Sequence, residues 1–381
     1  MVADARAGAP LRPALRPLRI LQLYPKADFF TGAAIQMRDL ARGLAARGHH
    51  VIVSTRPSEI WAAQCAEAGL PYQALGMRSE IDLRSAFELV RLLRAQRIQV
   101  VHAQKGKART LALLAGLFVR IPVLVLNRGV SFPLDRFNRL GYRIRRVTAI
   151  IAVCESIKRG LVAQGVPAEK IEVIYSGTDT DRFHPSVDRR AVRHELGLAP
   201  DDFLVTQVGV RSWRGNDDVL DAMAKVVPRL PRARLLIVGA NDEKRRILGE
   251  KARARGLGGA LSVFGYRQDV PEILAATDVS VDASYAGLGL TGSLRESLAV
   301  ATPVVATRIE GNPELVAHGE HGLLVPPRDP STLADAVLEM AVAGPDRRQA
   351  MGMAGRRIVE ARFSMAVKIA RTEALYRRVL Q

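Results

Sequence analysis

The sequence predicts two α/β domains, each a doubly wound parallel sheet with helices on both faces. Three observations carry this expectation. Short apolar runs of strand length alternate with helical stretches from Arg19 onward. The alternation breaks once, in the turn-rich stretch 175–185, and resumes at Phe203. A length of 381 residues, 48% hydrophobic and 25% charged, gives each of two domains a real core.

In chain order, Arg19-Ile20-Leu21-Gln22-Leu23-Tyr24 reads as a first buried strand. Thr31-Gly32-Ala33-Ala34 opens a helix that runs through Ala46 and closes at Arg47-Gly48. Residues 51–54 form the next strand, so the chain begins βαβ. Strands follow at 100–102, 123–126, 149–153 and 171–174. The longest apolar stretch, 111–119, is too short to span a bilayer and reads as a buried helix. A second set of strands lies at 203–209, 235–239, 261–265, 279–281 and 304–306. The divisions expected are a flexible tail over 1–18, a first domain over 19–185, a second over 186–364, and a last helix over 365–381.

Composition narrows the setting. Two cysteines, Cys65 and Cys154, are too few for a disulfide scaffold. The first eighteen residues lack the apolar core of a signal peptide. A cytoplasmic protein is expected. The net charge of +18 is uneven: residues 1–185 hold 28 Lys+Arg against 14 Asp+Glu, the remainder 28 against 24. That excess points to an anionic partner for the first half, either a phosphorylated acceptor or the inner face of a membrane. Basic composition throughout the genome is the bland alternative. Nucleic acid is not expected, because no aromatic-basic recognition motif accompanies the charge. Residues 131–146 mix aromatics with five arginines. Phe137, Leu140 and Ile144 form a stripe that either packs inward or lies on an anionic membrane.

The candidate site centres on the loop Ser284-Tyr285-Ala286-Gly287-Leu288-Gly289-Leu290-Thr291-Gly292-Ser293 and the helix that follows it. Strand, glycine loop and helix in that order aim backbone N–H groups and a positive dipole end at one spot, where a phosphate fits. Glu296, one turn into the helix, is placed to reach sugar hydroxyls. Arg211 and Arg214, three apart beside Gly215, make a forked clamp for a diphosphate, or else a solvated basic turn. Gly32 at a helix head admits a close backbone approach by phosphate or sugar. His102 ends a strand, with Lys105 nearby; it either faces a substrate or is a satisfied structural histidine. Arg128 has no role as a base at neutral pH, but it holds anions. No Cys/His ligand spacing, nucleophile elbow or Walker lysine is present, so neither metal nor cofactor is expected.

These segments resemble glycosyltransferase family 4, the retaining enzymes of GT-B fold. The likeness runs through Glu296-Ser297-Leu298-Ala299, Thr302-Pro303-Val304-Val305-Ala306-Thr307, Gly311-Asn312-Pro313-Glu314 and His321-Gly322-Leu323-Leu324-Val325-Pro326-Pro327. Leu40–His49 and Ile174–Pro185 continue it. The resemblance implies two Rossmann-like domains facing across a cleft, with the last helix crossing back to the first domain. It implies a nucleotide-sugar donor and an acceptor glycan or glycolipid, lipid-linked or of lipopolysaccharide type. Donor contacts are implied for Gly32, Arg211, Arg214, Gly289, Thr291, Gly292, Ser293 and Glu296, with the main chain around Arg267 pairing with the base. Arg128 stands where the family has a histidine. Leu288 stands where it has the first of two glutamates eight apart. Those two departures keep open a non-catalytic nucleotide-sugar-binding protein of the same fold.

Overall fold

A computed structural model describes residues 16–29, 31–287 and 289–381. Seven strands form the first sheet: β1 Arg19–Leu23, β2 His50–Thr55, β3 Tyr72–Ala74, β4 Val100–Ala103, β5 Val123–Arg128, β6 Ala149–Ala152 and β7 Ile171–Val173. Their order is β3-β2-β1-β4-β5-β6-β7. Six form the second: β8 Phe203–Val208, β9 Ala233–Val238, β10 Leu261–Phe264, β11 Val279–Asp282, β12 Val304–Thr307 and β13 Gly322–Val325. Their order is β10-β9-β8-β11-β12-β13. Neighbours pair in parallel throughout, as Ile20 with Val51 and Val100, or Val205 with Leu235 and Val279. Parallel strands need crossover helices on both faces, which is why most positions in these strands are apolar.

Two short strands, β3 and β13, extend the sheets beyond those read from sequence. Each lies at a sheet edge, where a few residues suffice for pairing. The helix expected over 111–119 is Gly106–Ala115 instead, and Leu117 and Phe118 beyond it are exposed. The tail expected over 1–18 lies outside the described residues except for its last three. Leu18 is buried, and its N–H donates to His49 Nδ1 at 3.0 Å.

The final helix, Met365–Leu380, packs on the helix Gly32–Ala46 and completes the core of the first domain. Its Tyr376 is fully buried against Ile20, Val100 and Val125. Arg47 Nε donates to Glu373 Oε2 at 2.6 Å on the rim of this contact. The second domain's core wraps the helix Gly292–Ala299, which the helix Gly344–Ile358 supports from behind. Gly352 touches the chain at Ala301 so closely that a β-carbon there would overlap the Ala301 carbonyl oxygen. Gly352→Ala is therefore expected to destabilise the fold by about 1–3 kcal/mol, read as a lower urea midpoint at unchanged slope.

Candidate active site

Ligands of open α/β sheets bind beyond the carboxyl ends of the strands, where strand order reverses. In the second sheet that point falls between β8 and β11. The loops leaving these two strands are 209–215 and 283–291, so the fold itself brings the arginine turn beside the glycine loop. A cavity of about 380 Å³ opens there between the domains, lined by Gln36, Asp39, Arg182, Val208, Arg267 and Glu296. A larger hollow of about 670 Å³ lies at the opposite ends of β11 and β12, beside Thr277, Pro303 and Arg348. It is on the wrong side of the sheet for the glycine loop.

Arg214 joins the two loops. It is buried, its Nη1 donates to Asp282 at the end of β11 and to Ser284 Oγ at 3.3 Å, and its Nη2 donates to the Val208 carbonyl and to Ser293 Oγ at 2.9 Å. Asp282 is 0% exposed. This pairing commits four of the five guanidinium N–H groups to protein acceptors. Arg214 is thus built into the loop framework, which differs from the open fork expected with Arg211. Arg211 is exposed, with its guanidinium carbon 5.6 Å from the Trp213 ring centre.

Glu296 is half-buried on the cavity wall, and its carboxylate makes no hydrogen bond within the protein among the described residues. Burial pushes its carboxyl above the usual range, while Arg295, Arg182 and Arg214 pull it back. Gly292 begins its helix, and Thr291 precedes it with a hydroxyl that is buried and without a partner. Ser293 holds Arg214, as above. Gly289 serves a different end from the phosphate cradle expected of it: a β-carbon there would overlap Val153 and crowd Ile157 of the first domain. Leu288 lies outside the described residues. Arg267 is held by two carboxylates, bidentate to Glu195 at 2.8 Å and to Asp269 at 2.6–2.8 Å, so its charge is already matched. Arg267 nevertheless remains on the cavity wall.

Across the cleft, Gly32 is exposed with open space where a β-carbon would stand, and Thr31 caps its helix by accepting from the Ala34 N–H at 3.3 Å. Lys105 lies with Nζ 5.3 Å from the Tyr24 ring centre. Burial lowers its ammonium pKa, Lys26 and Arg211 lower it further, and Asp28 opposes them. Of the two roles the sequence left open for His102, substrate contact is not the one the structure gives it. It is 1% exposed, with Nδ1 2.6 Å from the Tyr376 hydroxyl, and burial drives its pKa down to about 3. It is a neutral structural residue under the last helix. Arg128 ends β5 and donates to the Phe132 carbonyl, which sets the loop carrying Phe132.

Several cleft residues escaped the sequence reading. Arg182 Nη2 donates to the Gln268 carbonyl at 2.7 Å beside Glu296. Arg295 is buried with Nη1 unpartnered, and burial lowers its pKa to about 10. Gln36 and Gly177 exchange two hydrogen bonds, at 2.6 and 2.9 Å. The domains also touch directly. Phe132 meets Trp213 edge-on at 6.1 Å. Glu310 accepts from Ser131 and Ser156 hydroxyls at 2.8 and 3.2 Å. Glu314 accepts from the backbone N–H groups of Glu155 and Ser156, at 2.9 and 3.1 Å, at the head of the helix Glu155–Ala163. No sequence signal pointed to this contact, because partners from two domains leave no local periodicity.

Two parallel-sheet domains with a glycine loop and a free carboxylate on the shared cleft define the GT-B glycosyltransferase fold. Residues 30–182 match the model of Glycosyltransferase Family 4, and residues 203–342 that of Glycosyl transferases group 1. The chain belongs to glycosyltransferase family 4. It is 34% identical over 242 residues to a D-inositol 3-phosphate glycosyltransferase of Segniliparus rotundus, a match covering 61% of this chain and 53% of that one. It is 31% identical over 245 residues to a GDP-mannose-dependent alpha-(1-6)-phosphatidylinositol monomannoside mannosyltransferase of Mycobacterium tuberculosis, covering 60% of this chain and 62% of the relative. The chain thus spans only about half to three fifths of these relatives' lengths. Among solved structures, Anabaena HepE in complex with UDP shares the fold with a TM-score of 0.83 and 22% identity, covering 94% of this chain and 99% of HepE.

Removing Arg214 leaves Asp282 buried and unpaired. Arg214→Ala is expected to cost about 3–5 kcal/mol of stability, against less than about 0.5 kcal/mol for exposed Arg211→Ala. Urea denaturation of both variants checks the contrast.

Proposed function

We propose that this chain transfers a glycosyl unit from a nucleotide sugar to an acceptor, with retention of configuration, in the cleft between its domains. The observation that carries this reading is Glu296: a half-buried carboxylate, unbonded within the protein, beside a helix amino end and an interdomain cavity. Such a carboxylate suits the paired hydroxyls of a ribose. The N–H groups near Gly292 and the free guanidinium of Arg211 would then neutralise charge growing on the leaving diphosphate. The backbone beside Arg267 borders the space for the base.

Arg214 would act through Ser293 and the loop rather than on phosphate. Lys105 and Arg128 would lie on the acceptor side, and Gly32 would admit the donor's phosphate or sugar from across the cleft. Both curated relatives are named for substrates that contain an inositol phosphate group. A phosphate-bearing acceptor, glycan or glycolipid, agrees with the cationic excess of residues 1–185. Since Arg211 and backbone dipoles supply the positive charge on this reading, turnover needs no metal.

Two measurements test the proposal. A thermal-shift screen of nucleotide sugars identifies the donor by the stabilisation a tight ligand confers. Glu296→Ala should then weaken nucleoside diphosphate binding by roughly 2–4 kcal/mol in calorimetry with the fold intact. Unchanged affinity removes Glu296 from the site. With the donor known, Arg211→Ala should lower turnover by about 10²-fold, EDTA should leave the rate unchanged, and NMR should show a product of retained anomeric form. A protein that binds nucleotide sugar yet consumes none, with or without acceptor, would be a binding protein of this fold.

A further inference from the structure

Nine of the fourteen large apolar side chains exposed among the described residues lie between Ile81 and Leu140. Apart from Val130 and Phe132, in the loop that meets Trp213 across the cleft, they lie on or beside three helices that pack together. The helices Leu83–Ala95 and Arg136–Arg143 both pack on the helix Gly106–Ala115. Phe87 and Phe118 stack with ring centres 5.1 Å apart, and Arg94 Nη2 donates to the Phe118 carbonyl at 2.8 Å, joining the first helix to the turn after the central one. Asn138 accepts from Arg109 Nη2 at 2.7 Å, joining the central helix to the third. Gly141 and Tyr142 face inward there. Phe137 and Leu140, one turn apart, are left 61% and 62% exposed. The inward-packed stripe that the sequence allowed is therefore not formed by these two residues.

Charge follows the same surface. Arg136, Arg139, Arg143, Arg145 and Arg146 are all exposed, and none of their guanidinium groups is hydrogen-bonded or ion-paired within the protein among the described residues. Residues 136–146 contain no acid. Unmatched arginines flanking bare phenylalanine and leucine suit a partner that offers both phosphate and hydrocarbon. A second copy of this face would bring like charges together, and a nucleic acid would leave the apolar side chains in water. No helix among the described residues is long and apolar enough to cross a membrane. We propose that this face docks on the surface of an anionic lipid bilayer, with Phe137 and Leu140 entering the headgroup boundary and the arginines binding lipid phosphates.

The test uses the full chain and sedimentation with vesicles of phosphatidylglycerol in phosphatidylcholine, compared with phosphatidylcholine alone. Binding to the anionic vesicles should exceed binding to the neutral ones by on the order of tenfold and fall as salt is added. A Phe137→Ser/Leu140→Ser variant, and separately Arg139→Glu/Arg143→Glu, should each lower it by on the order of tenfold at unchanged melting temperature. Nucleoside diphosphate affinity should not move in either variant, so a failure of the transferase reading would register there and not in the vesicle assay. Equal binding to both vesicle types, no binding to either, or full binding by both variants overturns the proposal. So does a wild-type dimer in size-exclusion chromatography that Phe137→Ser/Leu140→Ser dissolves, which would make the face a self-interface.

Discussion

A guanidinium taken out of water must be matched by charge and by hydrogen bonds, or the fold around it fails. Arg214 meets that demand with Asp282, Ser284, Ser293 and the Val208 carbonyl. Its partners come from the ends of β8 and β11 and from the first turn of the helix Gly292–Ala299. One side chain thereby fixes the spacing of the three segments that face the cleft. Glu296 lies one turn further along the same helix, so its position follows from Arg214 as much as from its own packing. The positive charge that the sequence offers to a ligand is here spent on structure, and Arg211 is left as the exposed arginine of the pair.

The two domains depend on each other through chemistry as well as chain connection. The first sheet is roofed in part by the last helix of the chain, whose Tyr376 reaches both His102 and Gln22. Lys368 of that helix donates to Gln36 at 2.8 Å, and burial with the nearby Arg295 lowers its pKa to about 7. Gln36 in turn holds Gly177 in the segment between the domains. A continuous polar chain therefore runs from the last helix to the cleft wall. Phe132 and Trp213 close the far side.

Most of the fold was legible because parallel strands buried on both faces are apolar runs that stand out from the helices between them. β3 was hidden because Tyr72-Gln73-Ala74 is no apolar run, and β13 because Gly322–Val325 was read only as part of a motif. The site was legible where chemistry is local. Glycine, then helix, then Glu296 can be read along one stretch of chain, and the structure keeps that stretch at the cleft. Arg214 was misjudged because its partner, Asp282, is 68 residues away. Linear spacing cannot reveal that a charge is already matched. His102 sits at a strand end, as expected for a cleft residue, but its side chain points beneath a helix more than 270 residues later. Phe137 and Leu140 show the converse, a periodic stripe with nothing packed over it.

The helix Glu155–Ala163 has no side chain of its own at its amino end; Cys154 makes no capping hydrogen bond. The acceptors for its first N–H groups come from Glu314, in the other domain. Any motion that opens the cleft must hand these amides to water while the sheet behind them stays folded. Hydrogen exchange at Glu155 and Ser156 would then track the parting of the domains and not global unfolding. Two amide protons serve as a built-in gauge of how often the cleft opens.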